Sequence, residues 1–500
     1  MLLDHQSLKP LEPLIQELLD SAFGDALRGL AVAGFRPGDE WHTEAGFVFR
    51  AACIPAFRRT QQRVGTLVLD LERQIARLKS DEAKARAERK TLTAEVRELR
   101  AVLENRQLVL RRLMDAILWV LVWPDWWILR RLRVDGGIKR IDPRTLEPLL
   151  SAVGRHEAKR DETVSVVCDL TTTAQLGDLV IAMWVPARNV MKIVVAELKV
   201  GKMNILLRER LQRSPIAAVG IEIEKISTEL GPGAAKQAER IVRQERRLRN
   251  FDRVIATDVG TDPISGRRFK MTRRVISKDY RDKLSALIVR TRTEGWSGLT
   301  LDRCLHLIAQ RREPKADQRE GSKIAHDFYH LRHGHYCSAN GSEADKTAEA
   351  VAIKNAPLAV NLFDFCMRQS VAMPPLLWYP RDAMLDVLAG RIEVFAQFDY
   401  EEFFKLARKW ANLELEFVIG KRARGIKAAK ISGPLIEYRD DRFVLAKKPP
   451  MPQMLFGARF FGRLYMSLMR PRDVLRGLIA TMTEAAQDQG TTSPASTAVR

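Results

Sequence analysis

A long segment with a heptad pattern limits the folds open to this chain more than any other feature. Between Arg58 and Leu113 the sequence is almost free of glycine and proline, which favours helix. Apolar side chains recur at the a and d positions of a heptad, so the segment predicts a coiled coil about 80 Å long at ~1.5 Å of rise per residue. The apolar positions are Val68, Leu71, Ile75 and Leu78, then, after a weaker stretch, Leu92, Val96, Leu99, Leu103, Leu110 and Leu113.

A coiled coil needs a partner helix, and the sequence leaves two sources open. A second copy of the chain would give a homo-oligomer. Alternatively, the segment forms an antiparallel hairpin or a long helix that packs on its own chain. We expect the homo-oligomer.

The most apolar stretch of the chain, Ile117–Leu129, follows the heptads and is rich in tryptophan. A helix that spans a bilayer needs ~20 apolar residues, and this stretch is interrupted by Pro124 and Asp125. We therefore expect it to pack in the core or at an oligomer interface. Attachment to a membrane surface is the less favoured alternative.

The charge of the whole chain favours a polyanionic partner. Its 83 lysines and arginines exceed its 62 aspartates and glutamates, which gives a formal net charge of +21. Such a balance is typical of proteins that bind nucleic acid or an anionic membrane surface. The five cysteines are scattered without a CxxC pair, which indicates a reducing compartment. Because the sequence also opens without a signal-peptide pattern, we expect a cytoplasmic protein.

Two short runs rich in β-branched residues predict a β-hairpin in the middle of the chain. If the residues that flank the turn, Trp184 and Met191, face each other, Asp178 lies opposite Glu197 across the two strands. The predicted strands are Leu179–Trp184 and Met191–Ala196.

This hairpin would bring two carboxylates and a lysine together. Side chains alternate along a strand, so Glu197 and Lys199 share one face while Leu198 points to the other, toward the core. Carboxylate oxygens suit Mg²⁺, which takes oxygen ligands at roughly 2.1 Å. Lys199 would orient the attacking water or stabilise charge on the phosphate. The combination with Asp178 predicts metal-assisted cleavage of a phosphodiester, and the competing interpretation is a surface hairpin whose Glu197 and Lys199 form a solvated ion pair.

The pair of motifs Gly177-Asp178 and Glu197-Leu198-Lys199 resembles the signature of the PD-(D/E)XK, or restriction-endonuclease-like, nuclease superfamily, with glycine in place of its proline. The resemblance implies a central α/β/α domain with a mixed sheet. Its expected order from Val164 to Val259 is strand, strand, strand, basic helix and strand. The resemblance also implies an enzyme that hydrolyses nucleic-acid phosphodiesters.

The resemblance assigns roles to individual residues. Asp178 and Glu197 would be ligands of Mg²⁺ or Mn²⁺, and Lys199 would be catalytic. A glutamine on the helix after the second motif would position the backbone of the substrate, and Gln237 and Gln244 both lie on one face of the predicted basic helix.

The superfamily also has a further acid upstream of its first strand. Glu147 and Glu157 are the candidates, and Glu157 lies closer to the strand. Proteins with this architecture resemble bacterial restriction or antiphage effectors, in which an appended domain controls the nuclease. The resemblance therefore implies a defence role and favours DNA over RNA as the substrate.

Several segments around the motifs have weaker patterns. An insertion from Lys202 to Gly233 follows the second motif, and within it Ile221–Ile226 alternates as an extra strand would. Asp252–Val259 is the predicted last strand of the nuclease domain. Arg281–Arg312 predicts helix, and the charged run Arg311–Arg319 predicts a linker.

A cluster of histidines follows that linker. Four of the eight histidines of the chain lie between residues 326 and 335. His326 and His330 are spaced to bind Zn²⁺ from one helical face, with His333, His335 or Cys337 completing the site. A polar binding surface and ordinary structural histidines are the alternatives. The sequence has no Walker or GxGxxG motif, so any ATPase or sensing function would belong to a partner protein.

Together these patterns predict a multidomain α/β protein. The expected parts are an N-terminal helical segment (1–56), the coiled coil with the Trp-rich helix (57–135), the nuclease domain (140–312), a C-terminal α+β recognition or regulatory domain (320–480) and a disordered tail (485–500). The alternative functions are a non-enzymatic coiled-coil scaffold that binds nucleic acid through a degenerate nuclease fold, and a protein of the membrane surface.

Overall fold

The fold is described from a computed structural model and has mixed α/β character, as predicted. The structure describes residues 8–24, 44–88, 94–122, 128–129, 132, 140–185, 190–197, 202–214, 218–257, 259–261, 268–270, 279–312, 360–370, 372–377, 381–418, 443–448, 454–457 and 463–490. The helices are α1 (Glu12–Leu19), α2 (Glu44–Ala87), α3 (Ala94–Val122), α4 (Pro143–Glu157), α5 (Lys202–Arg213), α6 (Val219–Leu230), α7 (Pro232–Thr257), α8 (Arg281–Glu294), α9 (Leu362–Arg368), α10 (Arg381–Leu388), α11 (Tyr400–Ala411), α12 (Arg463–Met466) and α13 (Pro471–Gly490). The strands are β1 (Thr163–Val167), β2 (Leu179–Val185), β3 (Val190–Ala196), β4 (Val259–Thr261), β5 (Arg268–Lys270), β6 (Trp296–Leu301), β7 (Leu305–Arg311), β8 (Val360–Asn361), β9 (Ile392–Phe398), β10 (Glu414–Val418), β11 (Phe443–Lys447) and β12 (Met454–Gly457).

The heptad segment forms two helices that pack on each other within the chain. Glu82 of α2 lies 2.5 Å from Arg100 of α3, and Lys79 lies 3.8 Å from Glu104. Residue numbers fall along α2 as they rise along α3, so the helices are antiparallel. The partner helix of the heptads is therefore supplied by the same chain, and the homo-oligomer stays a prediction. Helix α2 also begins before the boundary predicted at residue 57.

The described part of the Trp-rich stretch packs in the core, which is one of the two interpretations preferred from the sequence. Residues 117–122 of α3 are all buried, and Trp119 is only 1% exposed. Within the described residues, no helix combines the length and the apolar character that crossing a membrane requires.

The first sheet contains β1, β2 and β3 in that order, and both pairings are antiparallel. Trp184 pairs with Met191, which confirms the predicted hairpin register. The expected mixed sheet is wrong for the described strands, since every described strand pairing is antiparallel. In the sheet of β1 to β3 the short connections between consecutive strands favour this arrangement, because parallel neighbours need a crossover of a dozen or more residues.

Helices α5, α6 and α7 form a small unit with a hydrophobic core of their own. The extra strand predicted at Ile221–Ile226 is wrong, because these residues lie in α6, where Ile226 is buried and Ile221 is 59% exposed. The strand predicted at Asp252–Val259 is also wrong over most of its length, because α7 continues to Thr257. The core of the unit consists of Leu207, Leu211, Ile226, Ala238 and Ile241.

These helices change the order of elements that the resemblance implied. After β3 the chain forms three helices before the next described strand. That strand, β4, pairs with β5 in a separate two-stranded sheet and does not extend the sheet of β1 to β3. The part of the chain that the structure describes therefore lacks the expected fourth strand of the nuclease sheet.

The C-terminal half is built around a four-stranded sheet in the order β6, β7, β9, β8. Helix was predicted for all of Arg281–Arg312, but α8 ends at Glu294 and β6 and β7 follow. The sheet thus takes strands from both sides of the boundary predicted between residues 312 and 320. One hydrophobic core extends from Leu8 to Met482, so the predicted segments share it.

Two predicted features at the C-terminal end have different outcomes. Helix α13 continues to Gly490, so the tail predicted to be disordered from residue 485 is helical in its first part. The histidine cluster from His326 to Cys337 and the predicted linker Arg311–Arg319, apart from its first two residues, lie outside the described residues.

Candidate functional site

The candidate site lies where β2 and β3 leave their shared ladder. The last pair of that ladder is Leu179 with Ala196, so the adjoining residues are Asp178 on one chain segment and Glu197 on the other. Both residues are half-buried. The two carboxylates predicted to bind a metal therefore leave the same end of one hairpin.

A β-bulge fixes the backbone of Asp178. Its N–H donates to the carbonyl of Ala196 at 2.9 Å, and its own carbonyl accepts from the N–H of Cys168 at 2.9 Å. In a regular strand the N–H and C=O of one residue point to the same neighbour, whereas those of Asp178 point to opposite neighbours. Asp178 and Leu179 thus both lie against Ala196, so Asp178 is beside Ala196 and not directly opposite Glu197 as predicted. Bulges of this kind redirect side chains and are common next to active sites.

Gly177 makes this bulge possible. Its φ is +75°, in the left-handed region that favours glycine. A Cβ at this position would lie 2.8 Å from the carbonyl oxygen of Ala196 and 2.7 Å from Cγ1 of Val195. Proline cannot occupy the position at all, because its ring holds φ near −65°. The glycine that replaces the superfamily proline is therefore required by the local backbone.

The loop before Gly177 is held by a buried charge network that the sequence analysis missed. The Oδ1 atom of Asp115 accepts from the N–H groups of Thr172 at 2.9 Å and Thr173 at 3.0 Å. Its Oδ2 atom accepts from Arg112 at 2.7 Å. The signal was available in the sequence, since Arg112 and Asp115 are charged residues one helical turn apart beside the most apolar stretch of the chain.

Arg112 links this network to the C-terminal half. Its Nη2 atom donates to the carbonyls of Cys366 and Ala372, both at 2.8 Å. Thr173 also donates through its hydroxyl to the carbonyl of Ser370. The loop that leads to Asp178 is therefore fastened to α3 on one side and to the residues around α9 on the other.

Glu157, the favoured upstream acid, forms a hydrogen bond at the outer edge of β1. Its Oε1 atom accepts from the N–H of Ser165 at 2.7 Å. Gln61 of α2 completes this edge by donating to the carbonyl of Ser165 at 2.8 Å and accepting from the N–H of Val167 at 2.9 Å. Burial raises the pKa of Glu157, and the hydrogen bond from Ser165 and the charge of Arg58 oppose that rise. Strand β1 lies between this edge and β2, so the structure does not bring Glu157 beside Asp178.

The other predicted site residues have separate surroundings. Glu147 lies on the surface, 3.3 Å from Arg73. Gln237 donates to the side-chain carbonyl of Asn204 at 2.9 Å. Asn204 is in the first turn of α5, the helix that follows the second motif, so Gln237 contacts the segment just beyond Lys199. Gln244 lies further along α7, and Lys199 itself is outside the described residues.

Carboxylate oxygens such as those of Asp178 and Glu197 are ligands of the type that a magnesium ion prefers. Among the described residues no group of three or more His, Cys, Asp or Glu side chains is arranged to hold a metal. Mg²⁺ commonly binds through one or two carboxylates and completes its shell with water and substrate phosphate. Asp178 and Glu197 would supply carboxylates of this kind. The His326 to Cys337 cluster, predicted from the sequence as a Zn²⁺ site, lies outside the described residues.

Three of the described cysteines are buried in surroundings that disfavour a nucleophilic thiolate. Burial raises the pKa of Cys366 to about 12, although the charge of Arg112 opposes the rise. The pKa values of Cys53 and Cys304 are also raised, chiefly by burial. Only a thiolate is a good nucleophile, so these thiols are unreactive at neutral pH.

Comparison with known proteins identifies no relative. No family model matches the chain, and no curated protein or solved structure is significantly similar to it. The functional argument therefore depends on the geometry of this chain.

Proposed function

We propose that the chain is a metal-dependent nuclease that hydrolyses phosphodiester bonds, with DNA favoured over RNA. The observation that supports this most strongly is the hairpin end at which Asp178 and Glu197 emerge from adjacent strands. The bulge at Asp178 adds support, because it fixes one carboxylate-bearing residue through hydrogen bonds to Ala196 of β3 and to Cys168, directly after β1.

Asp178 and Glu197 would hold Mg²⁺ or Mn²⁺ through their carboxylate oxygens. When bound, such an ion polarises the phosphate and lowers the pKa of a coordinated water. Lys199 would stabilise negative charge on the phosphate oxygens, as preorganised cations do at sites where charge develops. Gln237 of α7 would contact the substrate backbone beside the start of α5, where its amide donates to Asn204.

The decisive experiment compares wild-type protein with Asp178→Ala and Lys199→Ala on supercoiled DNA, linear duplex DNA and RNA. Each substrate is incubated with Mg²⁺, Mn²⁺ or EDTA. We expect cleavage with either metal, none with EDTA, and a loss of at least 10²-fold in either variant, on the order of the effect of removing one catalytic charge. Lys192→Ala is the matched control, because Lys192 is an exposed lysine on β3 of the same hairpin.

Two results would contradict this assignment. Cleavage that survives Lys199→Ala or Asp178→Ala would place the active site elsewhere. Wild-type protein that cleaves no substrate with either metal would contradict a nuclease that acts without an additional activator.

A second candidate is a non-enzymatic scaffold that binds nucleic acid. It is favoured by one observation, namely that the described strands after β3 do not join the sheet of β1 to β3. Binding of DNA that is equal in wild type, Asp178→Ala and Lys199→Ala, without cleavage by any of them, would support this candidate.

A further inference from the structure

We propose that one exposed face of α7 is the surface on which the phosphate backbone of duplex DNA binds. The identity of the partner rests on the proposed nuclease function, whereas the surface itself is defined by the residues below. The proposal concerns binding and assigns no catalytic role to the helix.

Four basic residues form a straight row on α7. Lys236, Arg240, Arg243 and Arg247 follow one another at intervals of four, three and four positions, which places them on one helical face. All four are exposed. The row extends about 16 Å along the helix at ~1.5 Å per residue. We call these four residues the basic row.

The opposite face of α7 packs against α5 and α6. Ala238 and Ile241 are fully buried against α5 and α6 in the core of the three-helix unit. Each lies about half a turn of the helix from the basic row. Helix α7 is thus anchored on one side and leaves the row directed to solvent.

The basic row has no acidic partner in the described part of the chain, whereas nearby acids are occupied. Arg210 lies 2.7 Å from both Glu222 and Glu229 of α6. Glu245 of α7 lies 3.6 Å from Arg249. These three acids therefore compensate arginines outside the row.

Two further residues adjoin the basic row. Glu239 is an exposed acid on this side of α7, and the exposed Arg246 offsets its charge. The face as a whole thus stays strongly positive. A row of unpaired cations of this kind suits a regularly charged polyanion, since each phosphate contact releases a condensed counterion.

The chemistry of the face favours a duplex over unpaired strands. Proteins that bind single strands stack bases on aromatic side chains. The one aromatic residue in the sequence of α7 is Phe251, which is buried. An amphipathic helix that lies on an anionic membrane would need apolar residues beside its cations. Among the side chains that the structure describes in this unit, the large exposed apolar ones lie on α5 and α6 instead, namely Met203, Leu206, Ile221 and Leu230.

The test measures how the affinity for a fluorescent DNA duplex depends on salt, in EDTA so that no cleavage occurs. The row variant combines Lys236→Gln, Arg240→Gln, Arg243→Gln and Arg247→Gln, and glutamine preserves helix propensity. Its slope of log K against log salt should be shallower by about 3.6, since each phosphate contact contributes ~0.9. Circular dichroism would verify that the helices are retained.

The control variant removes the same charge from other places. It combines Lys84→Gln, Arg144→Gln, Lys159→Gln and Lys409→Gln, which are exposed positions without an ion pair to a described residue. Its slope should change by less than about 1, because these residues would make no phosphate contact.

Several results would overturn the proposal. These are equal losses in both variants, no binding of duplex DNA by wild type, tighter binding of an RNA duplex, or preferential binding to anionic vesicles. Cleavage with Mg²⁺ is measured separately on the same proteins. If wild type does not cleave DNA but the row variant shows the shallower salt dependence of binding, only the proposed nuclease function is contradicted. If wild type cleaves DNA but the row variant binds with an unchanged salt dependence, only the proposed binding surface is contradicted.

Discussion

Arg112 and Asp115 lie one turn apart in α3 and form an ion pair of 2.7 Å in which neither side chain is exposed to solvent. Backbone groups from two other parts of the chain also bond to the pair. Asp115 accepts from the loop that leads to Asp178, and Arg112 donates to carbonyls on both sides of Ser370. The pair thus connects the helical hairpin, the candidate site and the C-terminal half.

Replacing Asp115 by alanine should strongly destabilise the protein. The variant leaves the guanidinium of Arg112 buried without a counter-charge and leaves the N–H groups of Thr172 and Thr173 without their acceptor. Breaking a buried ion pair in this way costs about 3–5 kcal/mol. The measurement is the shift of the urea unfolding midpoint relative to wild type.

The matched control for this prediction is Asp70→Ala. Asp70 also forms an ion pair with an arginine of its own helix, at 3.1 Å from Arg73, but both side chains are about half exposed. Removing an exposed pair should change the free energy of unfolding by less than about 1 kcal/mol. Similar midpoints for the two variants would contradict the structural role assigned to the buried pair.

Gly177→Ala should disturb the candidate site without touching a carboxylate. An alanine at φ +75° costs about 1–2 kcal/mol, and its Cβ would also press on the carbonyl oxygen of Ala196. The backbone must move to relieve that contact, which shifts the adjoining Asp178. We expect a lower unfolding midpoint together with weaker Mn²⁺ binding, measured by isothermal titration calorimetry.

Gly220→Ala tests whether these effects are specific to the bulge. Gly220 lies in α6, and a Cβ there would meet no atom within 4 Å. Alanine favours helix over glycine by about 1 kcal/mol, so this variant should be at least as stable as wild type and bind Mn²⁺ equally well. Equal metal affinity in Gly177→Ala and wild type would contradict the proposed link between the bulge and Asp178.

The hairpin was predictable from the sequence because two short-range constraints coincide there. The β-branched runs define two strands, and the short turn between Trp184 and Met191 leaves little freedom in how they pair. The bulge at Asp178 was not predictable in the same way. It involves a hydrogen bond from Cys168, which lies directly after β1 and outside the hairpin.

Other secondary-structure elements were predicted wrongly because one pattern of apolar residues fits both a helix and a strand. Ile221 and Ile223 alternate as in a strand, yet Val219, Ile223, Ile226 and Leu230 also have helical spacing. Packing of Ile226 against α7 decides between them, and sequence periodicity does not contain that information. In contrast, the end of α8 had a local signal. Gly295 has a φ of +79° directly after the helix, which is a common way for a helix to end.

Arg100→Ala tests whether α2 and α3 pair within one chain. The substitution leaves the buried carboxylate of Glu82 without its closest cation, which should cost about 1–3 kcal/mol. If the hairpin is intramolecular, the melting temperatures of wild type and variant should not depend on protein concentration. Lys79→Ala is the control, because its pair with Glu104 is longer, at 3.8 Å, and about half exposed. A melting temperature that rises with concentration would favour pairing between two chains.

Glu157→Gln separates a structural carboxyl group from a catalytic one. Because burial raises the pKa of Glu157 in the folded protein, the folded state holds this proton more tightly than the unfolded chain does. The free energy of unfolding that depends on this group therefore falls as the pH rises from about 4.3, the ordinary value for glutamate, through the raised pKa. Glutamine stays neutral and its carbonyl still accepts from Ser165, so the variant should lose this decline and be at least as stable as wild type at neutral pH. Urea midpoints of both proteins across the acid range measure the effect, with the exposed Glu147→Gln as control.

Cleavage should also persist in Glu157→Gln, because the carboxyl group faces the outer edge of β1. A variant that stays folded but loses cleavage would restore Glu157 to the active site.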